Sequence, residues 1–376
     1  MSKLINIKNN LNIKTSNELI DYLNPSHVYI PYKKTFKLNI KVNDQVYMNG
    51  LILHSEDNYV YTPVSGKIIG ACESVVDGKK NPTIIIENDF REKVPKVKGI
   101  KKDIYNYDAI SLNNELKKYN AISEDLKGTI LVVNGIDYEP FEQTMSYLIK
   151  DHLESILQGI DALIKILNIE KCYLAINNSD SNNVTKLVNE IGTYPNIKLK
   201  LMPDLYPIGK KEVLVNELNL SKHKDNIIFL SVEDIFAIYN VLKKEKPITE
   251  KFVTFSGDLL DTPKVLKIKI GTNIGDVIND MFKITGSDYD VIINGLLSGY
   301  KIDNLNAVIT PNIRSVFINS KVKQIENECI NCGLCISHCP VGAKPNQNKD
   351  MNLCIKCGLC NYICPSKRTL VRCDYE

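Results

Sequence analysis

Over residues 1–94 the apolar positions fall in short or alternating runs, at 28–31, 36–42, 46–48, 51–54, 59–61, 68–70 and 83–88. Turn residues punctuate them: Asn43 with Asp44, Asn49 with Gly50, Asp57 with Asn58, and Ser65 with Gly66. A period of two broken at such intervals is that of strands, and the stretch predicts a small all-β unit. A basic, proline-bearing segment at 95–102 reads as a linker.

Past the linker the period changes. An apolar run at 129–134 ends on Gly135. Met145, Leu148, Ile149, Leu153, Ile156, Leu157, Ile160, Ile164 and Leu167 then recur at helical spacing through 141–167, with a break expected at Gly159. Strands at 172–176, 197–202 and 227–230 alternate with helices at 183–191, 212–218 and 232–244. Four strand–helix units predict a parallel, doubly wound sheet within 95–246. Its ligand site belongs beyond the strand C-terminal ends, at 134–140, 177–180, 203–209 and 231–233. Within 247–320 short strands return at 251–255, 264–270, 291–293 and 315–318, around one helix at 274–282 that Asn273 or Thr272 caps. Two hairpins about a single helix suggest a β-grasp unit.

The last segment, 321–376, replaces periodicity with chemistry. Eight of the chain's eleven cysteines fall there in two copies of C-x2-C-x2-C-x3-C-P: Cys329, Cys332, Cys335, Cys339 with Pro340, and Cys354, Cys357, Cys360, Cys364 with Pro365. Three thiolates spaced by two residues converge on three corners of one 4Fe-4S cubane, and the fourth, past a turn, ligates the other cluster. One cluster is therefore assigned Cys329, Cys332, Cys335 and Cys364, and the second Cys354, Cys357, Cys360 and Cys339. Gly333 and Gly358, each directly after a second ligand, let backbone amides approach sulfur. A structural zinc site would leave the third cysteine of each run and both Cys-Pro ends without a role. A disulfide framework needs an oxidising compartment, and the opening MSKLINIKNN lacks the apolar core of a signal peptide.

Composition adds bounds rather than identity. The 376 residues are 44% hydrophobic and 24% charged, enough for several domains with ample core. No uncharged apolar run reaches the length of a membrane span, so the expected location is cytoplasmic, peripheral to a membrane only through a partner. The net charge of +3 sits on residues 321–376, which hold 8 Lys and Arg against 5 Asp and Glu. Two anionic clusters offset that excess, which argues against a nucleic-acid surface. Abundant Asn, Ile and Lys suggest a low-GC genome, and oxygen-sensitive clusters fit an anaerobe.

KVNDQVYMNG followed by YTPVSGKIIG resembles the two halves of a barrel-sandwich hybrid, the fold of lipoyl and biotinyl carriers. The run Thr62 to Lys67 reads as an internal strand turn, not as a carrier's presented lysine. These two blocks, with LVVNGIDYEP, YPIGKKE, AIYNVLKKEKPITEKFVTFSG, NGLLSG and the double cysteine motif, carry a wider resemblance. Over essentially its whole length the chain resembles the RnfC family, a subunit of the Rnf electron-transfer complex that is itself similar to the flavin-bearing, NADH-oxidising subunit of respiratory complex I. The resemblance implies a multi-domain α/β architecture: a barrel-sandwich-like unit at 1–94, a flavin/NADH-type α/β domain at 95–246, an SLBB-like β-grasp unit at 247–320 and a dicluster ferredoxin module at 321–376. It also implies that Glu139, in the acidic EP turn, faces flavin and nicotinamide. The bare residues allow another role, a carboxylate stabilised by the dipole of the helix that follows.

Departures from the family decide the expected function. Members that bind flavin carry a glycine-rich loop just before the LVVNG-type strand, where this chain reads DAISLNNELKKYNAISEDLKG. A cofactor phosphate needs consecutive backbone amides at close range, and the chain's 19 glycines never come nearer than four positions apart. The stretch between the cysteine runs is also shorter than in the family. The expected function is electron relay between redox partners, either an Rnf-type membrane complex or a soluble reductase such as proline reductase, through two 4Fe-4S clusters without FMN or NADH. The alternative is an NADH-oxidising flavoprotein with an atypical loop. Cys72 and Cys172 fill cores, Cys373 has no partner spacing, His338 is a loop histidine beside Cys339, and no general acid or base is assigned.

Overall fold

The computed structural model describes the chain except for residues 1–3, 8–12, 14, 17, 33–39, 56–57, 96–102, 322–326 and 372–376. Most of the strand expected at 36–42, most of the linker and Cys373 lie outside the described residues.

The parallel sheet has four strands in the order Ile197–Met202, Lys171–Asn177, Ile130–Asn134, Ile227–Ser231. All three pairings are parallel. Ile130–Asn134 is buried at every position, because a central strand with both faces covered has no solvent side for alternation to mark. The first strand in sequence lies between the second and the fourth, so connections leave it in both directions. Its C-terminal end is the switch point where such sheets open a crevice.

Helix Thr144–Ile166 lays Leu153, Ile156, Leu157 and Ile160 in the core beside Leu131, Val133 and Leu174. The break expected at Gly159 is not there; the backbone leaves helical geometry at His152 instead (φ −129°, ψ 24°). Gly159 serves close packing. A Cβ there would stand 2.9 Å from Ile235 Cγ2 and 3.1 Å from the Ile235 carbonyl, in helix Val232–Lys244. Helix Ala109–Lys118, absent from the sequence reading, precedes the first parallel strand and buries Leu112 and Leu116.

A six-stranded sheet runs Leu19–Tyr22, Lys264–Lys269, Glu250–Ser256, Ser315–Ser320, Tyr289–Ile293, Tyr300–Ile302. Its edge strand Leu19–Tyr22 comes from the N-terminal segment and pairs in parallel with Lys264–Lys269. Helix Ile274–Met281 packs on it, capped by the Asn273 side chain, which accepts from the Asp276 amide. The N-terminal β unit holds four strands, His27–Pro31, Lys79–Asn88, Gly66–Val76 and Gln45–Val46, with a hairpin of Leu51–Ser55 and Asn58–Tyr61. It meets the six-stranded sheet where the Tyr29 amide donates to the Gly271 carbonyl and Val75 bridges Ala307. No helix among the described residues is long and apolar enough to cross a membrane.

Candidate functional site

Each cysteine run folds into the same small device. A positive-φ residue just before the second cysteine (Asn331 at 54°, Lys356 at 50°) and a glycine just after it (Gly333 at 72°, Gly358 at 69°) curl the backbone ahead of a one-turn helix, Leu334–Ser337 or Leu359–Tyr362. Alternating hands of this kind turn successive amides inward, toward where an anion sits. The Lys356 amide reaches the Cys354 sulfur at 3.4 Å.

The two runs come together in space. Cys329, Cys332, Cys335 and Cys364 line one cavity. Burial raises the Cys335 thiol above its ordinary pKa, and the neighbouring thiols acting on it are Cys332 and Cys364. Burial pushes Cys357 up to about 12, and the thiols acting on it are Cys339 and Cys354. Cys364, the last cysteine of the second run, thus faces the space lined by the first three cysteines of the first run. The crossing is tied by the Asn327 amide donating to the Ser366 carbonyl and the Ser366 hydroxyl donating to the Glu328 carbonyl. Among the described residues no three His, Cys, Asp or Glu side chains close on a single metal ion. The thiols are instead arranged around a volume, and four thiolates about a cavity with inward amides are the donor set a cubane takes.

The runs differ in surroundings. Ile330 beside the first is 66% exposed, and Cys332 is exposed. Cys357 and Leu359 of the second are buried in an apolar cluster with Ile7 and Tyr206, against which Leu297 packs.

Glu139 is the centre of that contact. Its side chain is fully buried; its carboxylate accepts from the Tyr206 hydroxyl (2.7 Å), the Leu297 amide (3.2 Å), the Ser298 amide (3.4 Å) and the Ser298 hydroxyl, and pairs with Lys210 at 3.3 Å. Burial raises its pKa, and the Lys210 ammonium opposes that rise. The Tyr206 hydroxyl also lies 2.5 Å from the Cys357 carbonyl. The helix-dipole role is not what holds this carboxylate, since the helix begins only at Thr144. Glu139 joins the parallel sheet, the six-stranded sheet and the second cysteine run. Sequence reasoning missed Lys210 and Ser298, although YPIGKKE and NGLLSG were singled out as blocks; Tyr206 lies in the strand end expected at 203–209.

Three of the four expected strand ends do converge. Gly135, Asp137, Glu139 and Gln143 from the first end, Asn177, Ser179 and Asp180 from the second, and Asp204, Tyr206 and Gly209 from the third are among the residues that line a cavity of about 350 Å³. The fourth end stands apart: Glu233 lines a separate cleft with His152 and Phe236, 3.7 Å from Lys251. Asp137, Glu139, Glu142, Asp180 and Asp204 line the first cavity, and no lysine or arginine is among its described lining residues. Ahead of the first strand, helix Ala109–Lys118 is capped by its own side chain: the Asp108 carboxylate accepts from the Ile110 and Ser111 amides in a capping box.

Comparison with known proteins meets this architecture from two sides. Residues 114–241 match the family model described as the Nuo51 FMN-binding domain, and residues 322–344 match the 4Fe-4S binding domain. The RnfC subunit of the ion-translocating oxidoreductase complex of Buchnera aphidicola subsp. Acyrthosiphon pisum is 28% identical, over 83% of this chain and 71% of that protein. Its namesake from Haemophilus influenzae (strain PittEE) is 24% identical, over 85% of this chain and 54% of its own length, so the chain spans about half of that relative. Among solved structures, an NAD+-reducing NiFe hydrogenase in the H2-reduced state is 14% identical, with a TM-score of 0.43 over 59% of this chain and 49% of that one. The chain is a homologue of the RnfC proteins of ion-translocating oxidoreductase complexes.

Proposed function

We propose that this chain is an iron–sulfur electron-transfer subunit that relays electrons between redox partners through two 4Fe-4S clusters. One is held by Cys329, Cys332, Cys335 and Cys364, the other by Cys354, Cys357, Cys360 and Cys339. The observation that carries the reading is the shared cavity: Cys364, distant in sequence, faces the same space as the first three cysteines. The clusters would supply one-electron acceptance and release. The protein's part is to hold the thiolates, exclude water from the second site through Leu359, Ile7 and Tyr206, and seat the module on the two sheets through Glu139.

In this reading residues 1–94 form a barrel-sandwich-like unit, 95–246 an α/β docking scaffold that has lost flavin binding, 247–320 an SLBB-like β-grasp unit and 321–376 the dicluster module. The acidic cavity and the Asp108 cap support a relay without FMN or NADH. The names of the relatives support partners within a multi-subunit oxidoreductase, an Rnf-type membrane complex reached peripherally from the cytoplasmic side; a soluble reductase such as proline reductase is the other partner class. Iron and acid-labile sulfide decide the cluster content. Anaerobically purified protein is expected to hold about eight of each per chain and no stoichiometric flavin. A single zinc without sulfide, or one FMN per chain, overturns the reading.

A further inference from the structure

We propose that the cleft bounded by helix Val232–Lys244 and strand Glu250–Ser256 binds a small aromatic anion, a single planar ring carrying a carboxylate or a phosphate ester. None of its described lining residues comes from residues 321–376, so it stands apart from both cysteine runs.

The cleft encloses about 290 Å³. That is the small end of ligand sites, which begin at about 300 Å³, and it leaves room for one ring and its substituent but not for a dinucleotide. One side is aromatic. Helix Thr144–Ile166 leaves helical geometry at His152, and the imidazole there stacks on Phe236, with ring centres 4.4 Å apart and planes at 23°, and meets Phe252 edge-on at 5.9 Å. Among the described residues the imidazole nitrogens have no hydrogen-bond partner. This side therefore offers a ring an aromatic surface with an open polar handle.

The polar side of the cleft is cationic. Glu250 faces three ammonium groups at once: Lys269 at 2.6 Å, Lys246 at 3.0 Å and Lys267 at 3.4 Å. One carboxylate neutralises one of them. Lys269 has the first claim, because its side chain is only 3% exposed and a buried charge without a partner is costly. Lys246 and Lys267 are then in surplus, and both line the cleft with about a third of the side chain open, 33% and 30%. Lys244, also in the lining, is exposed and forms no ion pair among the described residues. The other carboxylates of the cleft are engaged: Glu233 pairs with buried Lys251 at 3.7 Å, and Asp234 accepts from the Ser231 amide and hydroxyl in the helix cap. Surplus ammonium groups beside an aromatic surface define the ligand by its two ends, anionic oxygens for the lysines and a ring for His152 and Phe236. A cationic ring would meet the same lysines as like charges.

Calorimetric titration of the full chain, purified anaerobically and kept at low ionic strength, tests this with phenyl phosphate, benzoate, inorganic phosphate and benzylamine as probes. At least one of the two aryl anions should bind once per chain and more tightly than inorganic phosphate, while benzylamine should not bind. The tighter of phenyl phosphate and benzoate identifies the head group as ester or carboxylate. Lys246→Gln with Lys267→Gln should weaken that binding about tenfold or more, as loss of hydrogen bonds to charged groups does. Phe236→Leu should remove the advantage of the aryl anion over inorganic phosphate. Two readings stand even if these variants fail to fold: Lys244→Gln, at an exposed position, should weaken binding in the same direction, and added salt should weaken it in the wild type. Failure of both aryl anions to bind, benzylamine binding as tightly as either, or affinities unchanged in the lysine and Phe236 variants overturns the inference.

Discussion

The two cysteine runs share a spacing, a proline, a glycine and a backbone turn, yet they occupy different environments. The first has Ile330 and Cys332 open to solvent, whereas the second presses Cys357 and Leu359 against Tyr206, Ile7 and Leu297. Gly333 and Gly358 make the contrast atomic. A Cβ on Gly333 meets nothing within 4 Å, whereas one on Gly358 meets the Leu297 carbonyl at 1.9 Å. A repeated local motif thus builds the same thiol cradle twice, and long-range packing gives the copies different duties. The outward cradle suits exchange with a partner, and the seated one faces the body of the protein.

The largest effect should come from the crossing itself. Cys339→Ser should cost the cluster of the second run and Cys364→Ser that of the first, each seen as loss of one cluster's resonance; loss of the cluster in the variant's own run would break the interleaved assignment. The glycines come next. Gly358→Ala should destabilise the seated module by about 3 kcal/mol or more, combining a backbone clash with a left-handed φ, while Gly333→Ala should cost only the conformational part, about 1 kcal/mol. Equal losses in chemical denaturation would remove the contrast between the cradles.

Glu250 supplies a control on the six-stranded sheet outside both cradles. Burial acts to raise its pKa, but the ammonium groups of Lys269 at 2.6 Å and Lys246 at 3.0 Å outweigh it and hold the carboxyl at about 2. A carboxyl depressed on folding stabilises the protein above its unfolded pKa, and that contribution fades as pH falls from about 4.5 toward 2. Glu250→Gln should therefore cost on the order of 3 kcal/mol at pH 7, converge with wild type near the acid end, and leave both cluster spectra unchanged. The smallest expected effect is that of Ile330→Ala, within about 0.5 kcal/mol in stability because the side chain lies in solvent. Any larger change in electron transfer to a partner would sharpen the role of the outward cradle.

Much of the architecture was legible because its signals are local. The strand–helix alternation and the cap at Asn273 each depend on residues close together in sequence. The misses have physical causes. Leu19–Tyr22 is a four-residue edge strand with no length over which to show a period. Helix Ala109–Lys118 did announce itself, through Asp108 and Ser111 as a capping box and Leu112 and Leu116 on one face. Gly159 suggested a helix break by propensity, but tertiary packing uses it for close approach and places the distortion at His152. The partners of Glu139 lie 67 and 159 residues away, beyond any periodic pattern.

The relay account is tested most directly by the visible spectrum of the anaerobically purified chain, recorded after addition of NADH and again after dithionite. A hydride donor delivers electrons in pairs and needs a flavin to divide them before one-electron clusters can accept them. On the relay account, which the acidic cavity lining and the Asp108 cap support, NADH should leave the cluster absorbance intact and dithionite should bleach it. Bleaching by NADH alone, with flavin released on acid treatment, would contradict the account and make the chain an NADH-oxidising flavoprotein.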